Sequence, residues 1–160
     1  MAYIYPAPGV AAAEVILTLT DTAATSPLTG NLVVPALQDV TVNNSNDVFT
    51  WTQLDESSKL QVATTATNDL SMNIVLDQTA FFGANAAAGG SVANVGIIGL
   101  SQAKTKVGFA LYLGDTSTGN VGKTMSGSGY ITGLAPTVSA DAPVWVSPIT
   151  ITVSGDYTIT

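Results

Sequence analysis

Between Ile149 and Ser154 apolar and hydroxyl residues alternate without exception, Ile149, Ile151 and Val153 against Thr150, Thr152 and Ser154. A period of two sends one set to a buried face and the other to the opposite face, the mark of an antiparallel strand that covers a core on one side. Three further stretches repeat it. Val15, Leu17 and Leu19 alternate through VILTLT; Leu70, Met72 and Ile74 through LSMNIVL; and Val107, Phe109, Leu111 and Leu113 through VGFALYL. Turn-forming clusters stand between them at residues 26–30 (SPLTG), 43–47 (NNSND) and 114–120 (GDTSTGN). The pattern predicts a mainly β chain, an antiparallel β-sandwich or barrel. Pro143 and Pro148 set the entry of the last strand and limit pairing there.

Helical signal is thin. Asp77 is placed to cap a short turn over residues 78–82 that Gly83 stops, and residues 97–103 have room for another turn. Residues 84–96 are rich in Ala, Gly and Asn, with Gly89 and Gly90 adjacent, and read as a loop. The expected architecture therefore has one short helix and long loops. The 160 residues suffice for one core, and no repeat or linker divides them, so residues 1–160 read as a single domain.

A strand-rich chain must also manage its surface, and here composition bears on the argument. Charged residues make up 9% of the chain and hydrophobic ones 46%, against a usual charged share of about a quarter. Such a surface must rely on hydroxyl and amide groups or be hidden in an assembly. The 11 acids face four bases, Lys59, Lys104, Lys106 and Lys123, for a net charge of −7. Without clustered cations the chain cannot neutralise phosphates, which disfavours nucleic-acid binding and adsorption to anionic membranes. DNA passing nearby would be repelled rather than trapped.

His, Cys and Arg are absent, which removes the usual general base, thiolate nucleophile and phosphate clamp. The adjacent carboxylates Asp55 and Glu56 lie in a polar stretch that reads as solvated loop rather than as a glycosidase pair. The run GDTSTGNVGKT ends like a phosphate-binding loop, but Ser117 stands where the first glycine belongs and no helix-forming sequence follows. A calcium loop over residues 115–120 lacks a second carboxylate and a closing Glu. Asn43-Asn44-Ser45 matches a glycosylation acceptor, but residues 1–17 read poorly as a secretory signal. No residue set asks for a metal or cofactor, and the chain reads as a non-enzyme.

The last third carries a resemblance. Gly129-Tyr130-Ile131, then Pro143-Val144-Trp145-Val146, then the strand from Ile149 to Tyr157 with Gly155-Asp156 near its end is similar to the C-terminal part of the major tail tube proteins of tailed bacteriophages, and LSQAKTKVGFALYLGD fits the strand before it. The resemblance implies a β-sandwich or barrel of the phage tail tube type. It implies a structural virion protein, assembled in the host cytoplasm, whose copies form hexameric rings stacked into a hollow tube for DNA ejection. The partners so implied are the chain itself and other tail proteins, namely a tape measure, a terminator and, in contractile tails, a sheath. DNA is cargo only, and no membrane binding is implied. Such a subunit reaches the next ring by a long loop or hairpin, for which residues 42–62 are the candidate. Its named positions are Asn43, Asn46, Asp47, Val48, Phe49, Trp51, Leu54, Asp55 and Glu56. Trp145, Ile149, Thr150, Ile151, Thr152, Val153 and Tyr157 are candidates for the C-terminal sheet and its subunit contacts. Two other readings fit the residues. One is a capsid decoration or head-fibre protein. The other is a carbohydrate-binding or adhesion module using Trp51 and Trp145 as stacking platforms, although both tryptophans sit beside strand-like residues that favour core or interface packing.

Overall fold

A computed structural model of the chain describes residues 15–34, 37–55, 57–113, 122–138 and 144–160. Among these residues nine strands and two helices follow in chain order: β1 (Val15–Asp21), β2 (Asn31–Val34), β3 (Leu37–Trp51), β4 (Leu60–Val75), α1 (Gln78–Phe82), α2 (Val92–Gln102), β5 (Val107–Leu113), β6 (Lys123–Leu134), β7 (Thr137–Val138), β8 (Trp145–Val153) and β9 (Thr158–Ile159). Every strand pairing is antiparallel, in one sheet of order β2-β1-β5-β6-β8-β4-β3, with β7 also on β8 and β9 also on β6. The mainly β architecture is as the alternation predicts.

Among the described residues the sheet is not closed by hydrogen bonds, yet its two edges lie near each other. β2 and β3 are the outermost strands, and only two residues of chain separate Val34 from Leu37. Three Cα steps span at most about 11 Å. The sheet must therefore roll until its ends almost meet. The inside of the roll holds Leu17 and Leu19 of β1, Leu70, Met72 and Ile74 of β4, Phe109 and Leu111 of β5, Ile131 of β6, and Ile149 and Ile151 of β8, all buried. All but Ile131 belong to the period-two pattern, in which Leu113, at the end of β5, is instead exposed.

The two helices join the same core with Phe81, Val92, Ile97 and Leu100. α1 forms as its cap suggests. The Asp77 carboxylate accepts the Thr79 hydroxyl at 2.6 Å and the backbone N–H groups of Ala80 and Thr79 at 2.8 and 3.0 Å, and Gly83 ends the helix. The second helical segment is longer than the composition of residues 84–96 indicates. Ser91 caps it by accepting the Asn94 N–H at 3.2 Å, and α2 begins at Val92, so the loop expected through Gly96 stops five residues earlier. Gly89 and Gly90 precede the cap and do not interrupt the helix. Three buried apolar side chains, Val92, Ile97 and Leu100, outweigh low helix propensity in this segment.

The hydrogen bonds from Thr79 and Ala80 hold the Asp77 pKa below the ordinary carboxylate value. A depressed pKa contributes stability that is present above the unfolded value, near pH 4, and is lost as pH falls through the folded one. Asp77→Ala is accordingly expected to lower the melting temperature at about neutral pH. The gap to the parent should shrink in acid as the carboxylate of the parent protonates. A melting-temperature gap that stays constant across pH would show that the Asp77 charge contributes nothing.

Two further expectations are corrected by pairing. Residues 43–47 are not a turn; β3 runs straight through them. Their amides find partners across the ladder, with Asn43 Nδ2 donating to Asp69 Oδ1 at 2.7 Å and Asn44 Nδ2 to Tyr157 Oη at 3.2 Å. Pro148 lies inside β8 rather than at its entry, opposite Asn73 of β4. It is tolerated there because β6 ends at Leu134, opposite Ile149, and a side-chain bond replaces the ladder. The buried Ser147 hydroxyl accepts the Ala135 N–H at 3.3 Å and donates to the Pro148 carbonyl at 2.9 Å. Pro143 lies outside the described residues. The final strand is also shorter than its alternation suggests. β8 stops at Val153, Gly155 turns the chain at φ 94°, and β9 resumes on β6 at Thr158.

Candidate functional site

β3 and β4 are much longer than their neighbours because half of each leaves the body. β4 pairs with β8 only over Asp69–Val75, so residues 60–68 pair with β3 alone. At about 3.4 Å per residue this two-stranded arm projects roughly 27 Å. Residues 43–50 and 61–67 are all exposed. Partway along the arm, a β-bulge sets Asp47 against both Thr64 and Thr65, whose hydroxyls donate to the Asp47 carbonyl at 3.1 Å and carboxylate at 3.3 Å. A bulge adds twist, so the arm turns there.

The distal arm is apolar on one side. Phe49 lies opposite Val62 and Trp51 opposite Leu60, which places all four on the same face, and the Phe49 and Trp51 rings stack with centroids 5.9 Å apart. Phe49 is 60% exposed and Val62 49%. The turn beyond holds Leu54 with its side chain wholly in solvent. A two-stranded ribbon with nothing behind it is only marginally stable in water. Among the described residues its two aromatics do not pack on the core of their own chain.

The outer side of the sheet next to the arm has a different chemistry. Ser71 and Asn73 of β4, Thr150 and Thr152 of β8, and Tyr130 and Thr132 of β6 alternate with the buried residues and point away from the core. Thr132 and Thr152 share a hydroxyl hydrogen bond of 2.9 Å, and the Asn73 amide donates to Asp39 at 2.8 Å. The charged groups here are the carboxylates Asp39 and Asp69. The lysines lie elsewhere, Lys59 beside the arm tip, Lys104 and Lys106 between α2 and β5, and Lys123 opening β6. The face is therefore hydroxyl and amide with negative charge.

The arm candidates thus fall on one structural unit. Asn43 and Asn46 lie in the paired part of β3, Asp47 in the bulge, Val48, Phe49 and Trp51 on the distal strand, and Leu54 and Asp55 in the turn; Glu56 lies outside the described residues. The partner strand is barely legible in the sequence, because residues 63–67 (ATTAT) carry no apolar alternation; the spacing of Leu60 and Val62 is its one signal. The C-terminal candidates separate. Ile149 and Ile151 are buried in this chain and hold the sheet together. Thr150 and Thr152 point outward, and Val153 is partly buried on the core. Tyr157 bonds Asn44 at the root of the arm, and Trp145, 49% exposed, stands at the far end of β8. Of the run that ends in GKT, residues 114–121 lie outside the described residues, and Lys123 and Thr124 enter a strand instead of a helix. Among the described residues no three carboxylates gather where they could hold a metal ion.

No family model and no curated protein matches the sequence. Solved structures do match its fold. The chain is similar to one in the tail of an empty gene transfer agent (GTA) particle resolved with C6 symmetry, at 10% identity and TM-score 0.62 over 94% of this chain and 98% of that one. It is similar to the SPP1 tail tube at 11% identity and TM-score 0.65, over 94% and 78%. It is also similar to a chain of the sheath/tube terminator of an extracellular contractile injection system, at 13% identity and TM-score 0.60, over 99% of each. At these identities the likeness is one of fold, and that fold is the tail tube type.

Proposed function

We propose that this chain is the structural subunit of a phage tail tube, working in the virion tail as one of six copies per ring, with rings stacked into a hollow conduit for DNA. The observation that carries the reading is the β3–β4 arm, a paired ribbon exposed on both faces with an aromatic tip, which has no reason to persist in a lone molecule. The edges of β2 and β3, unpaired among the described residues, support it, since an unpaired edge is a template for a neighbouring copy and a liability otherwise. Rings closed through such edges would turn one sheet face to the lumen. The hydroxyl face over β4, β8 and β6 is the one suited to it, because hydroxyls and carboxylates offer phosphate no cation to bind. Six copies at −7 each carry −42, which keeps DNA a passing cargo. The tape measure, terminator and sheath are partners by the same reading, and the chain has no catalytic role.

Electron microscopy of the purified, concentrated protein tests this. The expected image is sixfold rings or hollow filaments with a central channel. Discrete solid particles at every concentration, with no tube of this protein in virions, would instead favour a decoration protein. A soluble monomer whose tryptophan fluorescence responds to glycans would favour the sugar-binding module.

A further inference from the structure

Among the described residues, Val33, Phe82, Leu113, Tyr130 and Ile159 are exposed elsewhere, and the other exposed large apolar residues form two groups, one at each end of β4. One is the arm tip, with Val48, Phe49, Leu54 and Val62. The other is Val138, Val144 and Trp145, each about half exposed. Val138 pairs directly with Trp145 across β7 and β8, the Trp145 carbonyl accepts the Leu76 N–H at 2.9 Å, and Val146 lies opposite Val75. This second cluster therefore sits where β4 ends, and the tip sits where β4 begins. The strand between them is roughly 50 Å long at about 3.3 Å per residue.

We infer that the Val138–Val144–Trp145 patch is the acceptor for the arm tip of the next copy along the tube axis. This rests on the tube reading and adds its missing half, the surface on which the arm lands. A tip and a patch at the two ends of one strand cannot meet within a molecule. A second copy shifted along the strand direction brings them together. The contact is heterologous, tip to patch, so it leaves a free tip at one end and a free patch at the other and never closes on itself. That is the bonding pattern an open-ended stack needs. A two-fold pairing of patch with patch would bury the same residues but end growth at two copies. Both surfaces are small, aromatic-centred and built on paired backbone, so little ordering opposes their burial.

Two variants read the contact. Rings of Phe49→Glu keep the patch and lose the tip; rings of Trp145→Glu keep the tip and lose the patch. Each alone is expected to give single rings in electron micrographs, with filaments lost. Mixing preformed rings of the two restores one working contact, so stacks of two rings and no longer are expected. Circular dichroism checks that each variant folds, and Trp145→Ser with Val138→Ser carries the same test should the glutamate disturb β8. Normal filaments from folded Trp145→Glu or Trp145→Ser/Val138→Ser rings would overturn the patch while leaving the tube reading intact. Stacks longer than two in the mixture would overturn it as well. Absence of rings and filaments from the unaltered protein and from virions would remove the tube reading itself, and the patch with it.

Discussion

Gly96→Ala is expected to cost on the order of 3–5 kcal/mol of folding stability, and to lower the melting temperature by roughly 10 °C in a chain of this size. The reason lies in how the two helices meet. At Gly96 the chain breaks the helical path of α2 with φ 67° and ψ −177°, a region open almost only to glycine. A Cβ built there would lie 2.4 Å from the Gly83 nitrogen and 2.8 Å from the Phe81 carbonyl oxygen. Both are backbone atoms, so no rotamer change relieves the contact. Separating the helices would also draw Phe81 and Ile97, both buried, out of the core. Gly90→Ala is the control. Its φ is 75°, but nothing lies within 4 Å of the added methyl, so only the backbone preference is lost, about 1 kcal/mol. Chemical denaturation of the three proteins gives the ranking directly. A Gly96→Ala chain as stable as Gly90→Ala would mean that the helical layer relaxes freely around its kink.

Removal of the arm is expected to have the opposite profile, with little effect on the fold and a complete effect on assembly. Replacing residues 45–67 by an Asn-Gly turn would delete no buried side chain, since Asn68 is the first buried residue of β4. The melting temperature should stay within a few degrees of the parent. In the proposed tube the same change withdraws Phe49, Val62 and Leu54 from every contact between rings. Each such side chain is worth about 1.5–3 kcal/mol on full burial. Several arms per ring act together, so their joint loss abolishes stacking rather than weakening it in proportion. Folded, soluble rings or single subunits without filaments are the expected product. Full-length tubes assembled from the armless chain would show that rings hold together by another surface.

These two regions differ in how far residues alone reveal them. The kink at Gly96 has no local signature. The Ala/Gly/Asn-rich composition of residues 84–96 reads as a loop, with a helical turn only over residues 97–103. What decides the outcome is that Gly83 and Gly96, thirteen positions apart, meet backbone to backbone. The arm is half legible. Its polar and aromatic residues stand out in the sequence, but NNSND suggests a turn in what is the middle of a strand, and residues 63–67 show no strand pattern at all. Strand pairing there comes from the partner, because β-propensity is a weak preference that an available ladder and its side-chain bonds readily override.

By itself the sequence determined the class of fold, the two faces of each core strand and the cap of α1. Each of these depends on residue type or on spacing within a few positions. The tertiary structure alone decided the order of strands, the rolled sheet whose end strands are joined by two residues, the bulge at Asp47 and the length of the arm. Those depend on which distant segments share hydrogen bonds. A strand's own residues say which side it buries, but not which strand lies beside it or how far past the core the pairing continues.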